Sequence, residues 1–388
     1  MKLIDKSVEH YCRTAEAYYR RHPRPQAMLH KPFALLLEAS NHLAKLAPLL
    51  DGLQLAKTMT VLDFGAGTCW LSRYLTHLGC RTICLDVSAT ALRLGEEMFR
   101  AWPSLDGPRE EPQFLVFNGH RIDLPDEYVD RVVCFEALHH VPNVDDVIAE
   151  IYRVLRPGGI AGFAEPGEEH SNTPSAQTEM MNYDILELSI MVQNIWKTAE
   201  RLGFSDIRFR PFSYPVLDLS FDERNSVIAG QPPPHLVKHL AQSMYEWSIF
   251  FLYKGKPLRD SRAPDGLSAQ IVVVEAPAEV PAGQPFQVRV RCLNTGRAVW
   301  LACDTHNDVG TVKLGPHLYD GEMHLLQYEV PRFPLPRNVG PGETCEAVAP
   351  LPALPPGSYV FTLDLVAEDV IWFEVAGTIP AQVRVSVQ

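Results

Sequence analysis

The chain has 388 residues, a formal net charge of −12, and 46% hydrophobic and 21% charged side chains. It is too long for one core, so two or three domains are expected. The acidic balance without a basic patch sets nucleic acid aside as a partner, and no apolar run nears the roughly 20 residues that span a bilayer. Met1–Lys6 lacks the apolar run of a signal peptide, and the eight cysteines form no Cys-x-x-Cys pair. These features predict a reduced, cytoplasmic, metal-free chain.

Residues 1–55 read as a helical cap. His10–Arg21 is amphipathic and carries Tyr11, Tyr18 and Tyr19, and Pro32–Leu50 is a second apolar-periodic stretch after the break at Met28–Phe33. Such a segment either covers a bound ligand or serves as a packing arm.

Residues 61–68, Val-Leu-Asp-Phe-Gly-Ala-Gly-Thr, are the most informative stretch. A buried strand ends on Asp63, Gly65 and Gly67 follow, and a helix runs from Leu71 to Leu78. A second apolar strand, Ile83–Leu85, ends on Asp86. This is how a nucleoside cofactor is held at the edge of a parallel sheet: the glycines admit close backbone approach, and the second acid bonds ribose hydroxyls. A dinucleotide site wants a third glycine where this chain has Trp70. Asp63 would also repel a phosphate. Both point away from a nicotinamide oxidoreductase and toward S-adenosylmethionine, which carries an ammonium and a sulfonium and no phosphate.

Phe114–Phe117 reads as a third strand, followed by Asn118-Gly119-His120. Tyr128–Glu136 holds a fourth strand ending on an acid, followed by Ala137-Leu138-His139-His140. A helix from about Val144 to Leu155 stops at Arg156-Pro157-Gly158-Gly159, and a fifth strand, Ile160–Ala164, ends at Glu165-Pro166. In this order the chain resembles the class I S-adenosylmethionine-dependent methyltransferases of type 11, over roughly residues 55–255. The resemblance implies that Asp63, Gly65, Ala66 and Gly67 hold the methionine end of the cofactor and that Asp86 bonds the ribose. It further implies that Val87 flanks the adenine, that Asn118 and Gly119 stand where the family usually has an acid for the adenine amino group, and that Glu136 lies beside the methionine moiety. For Asn118 and Glu136 an ordinary loop-capping role is the alternative.

Methyl transfer to a hydroxyl needs a base at the carboxyl edge of the sheet, next to the cofactor. His139, His140, Glu165 and His170 qualify by position; histidine titrates near neutrality. Of the paired histidines, one is expected in the sheet–helix packing and one in the cleft. His170, in the polar loop after strand five, is the favoured base, with His139 next and Glu165 as its orienter or an acceptor ligand. Tyr183 and Glu187 are further acceptor-contact candidates. Glu165, Glu168, Glu169 and His170 cluster locally without tight metal-ligand spacing. Ile207–Tyr214 and Tyr245–Tyr253 should close a mostly parallel seven-stranded Rossmann-like sheet over residues 56–258, with Leu217–Ala241 as an insert that suits a lid.

After a linker (254–266) the composition shifts to short alternating strands divided by Pro and Gly: Ile271–Glu275, Phe286–Leu293, Thr311–Leu314, Leu325–Val330, Tyr359–Val366 and Val383–Val387. This rhythm predicts an all-β immunoglobulin-like sandwich over residues 268–388, without the antibody-type disulfide. Trp300 and Trp372 are either core residues or a sugar platform. The pairing of domains, with the His170–Met180 and Leu186-Glu187 stretch, resembles methyltransferases fused to sandwich modules in bacterial surface-polysaccharide clusters. That resemblance implies polysaccharide biosynthesis and O-methylation of a saccharide, glycan precursor or other small polar acceptor. The sandwich would then serve glycan binding, a partner protein or homo-oligomerisation. The alternative is a catalytically inactive methyltransferase fold acting as a glycan-binding scaffold.

Overall fold

Two stretches of unbroken burial define the centre of the first half of the molecule. The computed structural model describes residues 4–21, 28–101, 111–257, 259–302 and 305–388. They divide into two compact units, residues 1–257 and 258–388.

In the first unit, β1 (Thr60–Phe64) and β4 (Val129–Phe135) are buried at every position, as in parallel strands covered on both faces. β2 (Arg81–Asp86) and β3 (Gln113–Val116) follow on one side. β5 (Leu155–Pro166), β7 (Trp247–Tyr253) and β6 (Asp206–Phe209) follow on the other, giving the order β3-β2-β1-β4-β5-β7-β6. Only β7 runs against its neighbours. The order reverses between β1 and β4, and the crevice at the carboxyl ends of these strands is where open α/β sheets bind ligands.

Helices α1 (Val8–Arg21), α2 (Leu36–Leu53), α3 (Trp70–His77), α4 (Ala89–Ala101), α5 (Val144–Val154), α6 (Pro174–Tyr183), α7 (Val192–Leu202), α8 (Phe221–Ile228) and α9 (Pro234–Glu246) complete the unit. In α5 the buried residues Val147, Ile148, Ile151 and Val154 fall on one helical face and join the sheet core. The insert between β6 and β7 is helical; Ser220 and Glu223 form a capping box at the start of α8. β6 stops at Phe209 rather than near Tyr214, because Pro211 has no N–H for a ladder.

The second unit is rich in strands. One sheet has the order β14-β10-β8, with β8 (Ala269–Glu275), β10 (Phe286–Asn294) and β14 (Thr344–Leu351). The other runs β12-β11-β15-β17-β9, with β9 (Glu279–Val280), β11 (Val312–Asp320), β12 (Leu325–Gln327), β15 (Gly357–Ala367) and β17 (Ala381–Val387). The short strands β13 (Phe333–Pro334) and β16 (Ile371–Trp372) pair with β11 and β15. Val290 and Ala347 from the first sheet and Leu314, Phe361 and Val385 from the second belong to one apolar core. β14, a strand not among those expected, alternates exposed and buried at every residue. β11 continues past Leu314 because Gly315 leaves room for the Trp372 ring; a Cβ there would sit 2.5 Å from the indole. Trp300 is fully buried with its ring edge-on to Phe373, so it is a core residue.

Candidate active site

The turn after β1 is shaped by two left-handed glycines. Gly65 (φ 71°) and Ala66 donate their N–H groups to the Leu85 carbonyl at 2.8 and 3.0 Å, which folds the turn onto β2. A Cβ at Gly65 would meet that of Ala137 at 2.3 Å, and one at Gly67 (φ 52°) would meet the Tyr19 hydroxyl at 2.8 Å. Both positions therefore need glycine twice over, for conformation and for room. Asp86, at the end of β2, accepts from Gly67 N and Ser88 N, each at 2.8 Å. Burial, opposed by these two bonds, pushes its carboxyl up to about 6.

A cavity of about 410 Å³ opens beside this turn. Of the residues expected to bind cofactor, Gly65, Ala66, Gly67, Asp86, Val87, Gly119 and Glu136 line it; of the catalytic candidates, His139, His140 and His170 do. Asp63, Asn118 and Glu165 are not among the lining residues. Asp63 lies beneath the turn and accepts from Ser72 Oγ at 2.6 Å, and burial raises its carboxyl to about 7 against that bond. Asn118 Oδ1 accepts from the N–H groups of His120 and Arg121 at 2.8 Å and so caps its own loop.

Helix α1 covers the cavity: Tyr11, Cys12, Ala15, Tyr18 and Tyr19 line it. Its Glu16 ties the helix to the turn after β2, accepting from Ser88 Oγ at 2.6 Å and from Thr90 Oγ1 at 2.7 Å. Glu136 adopts a left-handed backbone (φ 53°) and pairs with Lys45 of α2. Burial opposes its ionisation, but Lys45, Lys31 and His42 outweigh it and hold the carboxyl down at about 2. Lys45 is itself buried, 3.5 Å from the Trp247 ring centre. Lys45, His42 and Glu16 carry no sequence motif; partners in distant segments, shown only by the fold, give them their place.

The opposite wall is built of histidines and carboxylates. Glu165, fully buried at the end of β5, accepts from Ala137 N and Leu138 N at 2.9 Å and from His139 Nδ1 at 2.7 Å. It thus fixes the short turn Leu138–His140 after β4. Glu187 lies between three rings: His170 Nε2 at 2.7 Å, His139 Nε2 at 3.6 Å and His140 Nδ1 at 3.7 Å. Burial disfavours the ionised form of both acids, yet hydrogen bonds from His139 to Glu165 and from His170 to Glu187 hold both carboxyls below the usual range. His139 is pushed down by burial but raised further by Glu165, for a net upward shift. His140 is lowered to about 4 by burial and by its neighbour His139. One of the paired histidines was expected in the sheet–helix packing and one in the cleft; both rings border the cavity.

The glycine cradle admits close approach of a ligand, and the carboxylates of Asp86, Glu136 and Glu187 around the cavity suit a cationic sulfonium and ammonium rather than a pyrophosphate. These residues fit S-adenosylmethionine.

Comparison with known proteins bears on the same stretch. Residues 62–163 match the family model of a methyltransferase domain. A sterol 24-C-methyltransferase of Eremothecium gossypii is 32% identical over 106 residues, 27% of this chain and 27% of that protein. A malonyl-[acyl-carrier protein] O-methyltransferase of Pectobacterium atrosepticum is 33% identical over 135 residues, 34% of this chain and 46% of that protein. The chain thus spans less than half the length of either relative. Haemonchus contortus phosphoethanolamine N-methyltransferase 2, solved with S-adenosyl-L-methionine, aligns at a TM-score of 0.44 and 16% identity, covering 63% of this chain and 60% of that one. Among the described residues no helix is long and apolar enough to cross a membrane. Residues 62–163, with their glycine turn, Asp86 and Leu-His-His segment, match a methyltransferase domain, and the cofactor is S-adenosylmethionine.

Proposed function

We infer that the chain is an O-methyltransferase acting on a saccharide, a glycan precursor or another small polar acceptor. One observation carries this reading: a single cavity is lined on one side by the glycine turn and Asp86 and on the other by His139, His170 and Glu187. S-adenosylmethionine, when bound, supplies an electrophilic methyl group. The glycine turn and Asp86 hold and orient it, α1 and Trp247 exclude water, and Tyr183 packs edge-on against the cavity-lining Tyr18. The proton that an acceptor hydroxyl loses as its oxygen is alkylated passes into the His139–His170–Glu187 cluster, where His170 stands at hydrogen-bond distance from a buried carboxylate.

We read the second unit as an immunoglobulin-like sandwich that recruits glycan, a partner protein or a second copy of the chain. The setting we assign is surface-polysaccharide biosynthesis in the cytoplasm, which the seven free cysteines among the described residues support.

The test is calorimetric titration with S-adenosylmethionine and S-adenosylhomocysteine, with NAD as control, followed by turnover with nucleotide sugars. Micromolar binding of the sulfur ligands alone is expected, and His170→Ala should keep it while losing at least about 100-fold in turnover, the scale of general-base catalysis. No binding of the sulfur ligands would end the reading. Full turnover in His170→Ala would remove His170 from the proton path.

A further inference from the structure

The histidine–carboxylate wall has a geometry that proton transfer alone does not require. His139 comes from the turn after β4, His170 from the loop after β5 and Glu187 from the segment after α6. One ligand atom of each lies within 4.8 Å of the others. Two ligands bound to a tetrahedral zinc ion at 2.0–2.1 Å stand about 3.4 Å apart. The contacts of Glu187 with His170 (2.7 Å) and His139 (3.6 Å) bracket that value, so an ion needs only small shifts of side chains.

A second observation concerns the other side of the His139 ring. The buried Glu165, held by the Ala137 and Leu138 N–H groups, stands 2.7 Å from His139 Nδ1 and fixes that edge of the ring. That leaves the Nε2 side of the ring facing Glu187. A buried carboxylate that holds a ligating imidazole by its far nitrogen is the recurrent outer partner of metal-bound histidine. All three candidate ligands line the cavity, so an ion among them keeps an open coordination position toward its interior.

We propose that His139 Nε2, His170 Nε2 and Glu187 bind one divalent transition-metal ion, with Glu165 as the positioning residue for His139. Two imidazoles and a single carboxylate select zinc, iron, cobalt or manganese over magnesium or calcium, which demand oxygen. The site goes beyond methyl transfer as read above. On that reading, the ion faces the acceptor and polarises its hydroxyl, which replaces activation by His170 whenever His170 Nε2 is a ligand.

The test uses the full chain and the metal alone, with neither donor nor acceptor. Cobalt(II) is titrated and followed by its visible absorption, and zinc stoichiometry is measured after dialysis. One equivalent of each is expected. Glu165→Gln should weaken cobalt binding by about 10–100-fold, as outer partners do, and His170→Gln and Glu187→Gln should weaken it more. No stoichiometric uptake overturns the site, as does uptake unchanged in the ligand variants. Because a variant of a buried group can fail to fold, a wild-type measurement runs beside it. Diethylpyrocarbonate modification of His170, mapped by mass spectrometry, should be blocked by zinc while that of exposed His235 is not; equal modification of His170 with and without zinc also overturns the site. Failure here leaves the methyltransferase reading standing, since that reading is judged by the separate titration with the sulfur ligands.

Discussion

The two walls of the cavity are built on opposite plans. The wall assigned to the cofactor is one continuous piece of chain, β1–turn–α3–β2, and its shape is set mostly by backbone: Gly65, Gly67 and the N–H groups that Asp86 gathers. The histidine wall comes from three separate segments joined through buried carboxylates, with Glu165 meeting His139 across 26 positions and Glu187 meeting His170 across 17. A backbone wall is set by local sequence and tolerates change in its neighbours. A wall held by buried charge depends on every partner, because removing one leaves the others desolvated and unpaired.

That contrast predicts a ranking. Glu165→Ala should have the largest effect on stability. It removes a fully buried acceptor shared by two backbone N–H groups and an imidazole, and breaking such a buried pair costs about 3–5 kcal/mol. Chemical denaturation would read this as a lower midpoint at unchanged slope. A loss below about 1 kcal/mol would mean that the turn Leu138–His140 is held by something else. Glu136→Gln comes next. It removes the charge facing the Lys45 ammonium and leaves an amide oxygen, the Trp247 and Phe135 ring faces and the pull of Glu165 to offset it. A loss of about 2–3 kcal/mol is expected, smaller because the Glu136 side chain is partly exposed. On the cofactor wall, Asp86→Ala should leave the fold nearly intact and weaken S-adenosylmethionine binding by about 1.5–3 kcal/mol, the worth of a charge-assisted hydrogen bond. Unaltered affinity in calorimetry would remove Asp86 from ribose recognition.

The same contrast explains what the sequence let one read. The central sheet was legible because parallel strands buried on both faces are continuous apolar runs, and the glycine turn because its features fall within one β–turn–α–β stretch. The boundary at β6 and the existence of β14 were not, since a proline ended one early and the other mixes Thr344, Glu346, Val348 and Pro350 on its open face. The histidine wall was half legible. His139, His170 and Glu165 stand at strand ends, where chemistry is expected, whereas Glu187 entered only as a candidate acceptor contact. Its position beneath three rings follows from how the chain returns after α6, and no spacing in the sequence encodes that return. The local acidic run Glu168-Glu169, by contrast, is not among the residues lining the cavity.

Asp63 gives the most specific test of the turn after β1, one read as a change in slope. It is almost fully buried, and its carboxyl titrates at about 7 in the folded chain against an ordinary value of 3.8. Between those values the native state holds a proton that the unfolded state has released. Stability from this group is therefore fully present below pH 3.8 and is lost as the pH rises through about 7. In that window the loss approaches about 1.4 kcal/mol per pH unit for one group. Asp63→Asn keeps an acceptor for Ser72 Oγ and removes the titration, so it should flatten the slope of unfolding free energy between pH 5 and 7 relative to the native chain. The difference in slope is the quantity to read, because other titrating groups cancel in it. Parallel curves for the two proteins would mean that Asp63 is ionised throughout, and that the turn beneath the glycines is wetter than its burial implies.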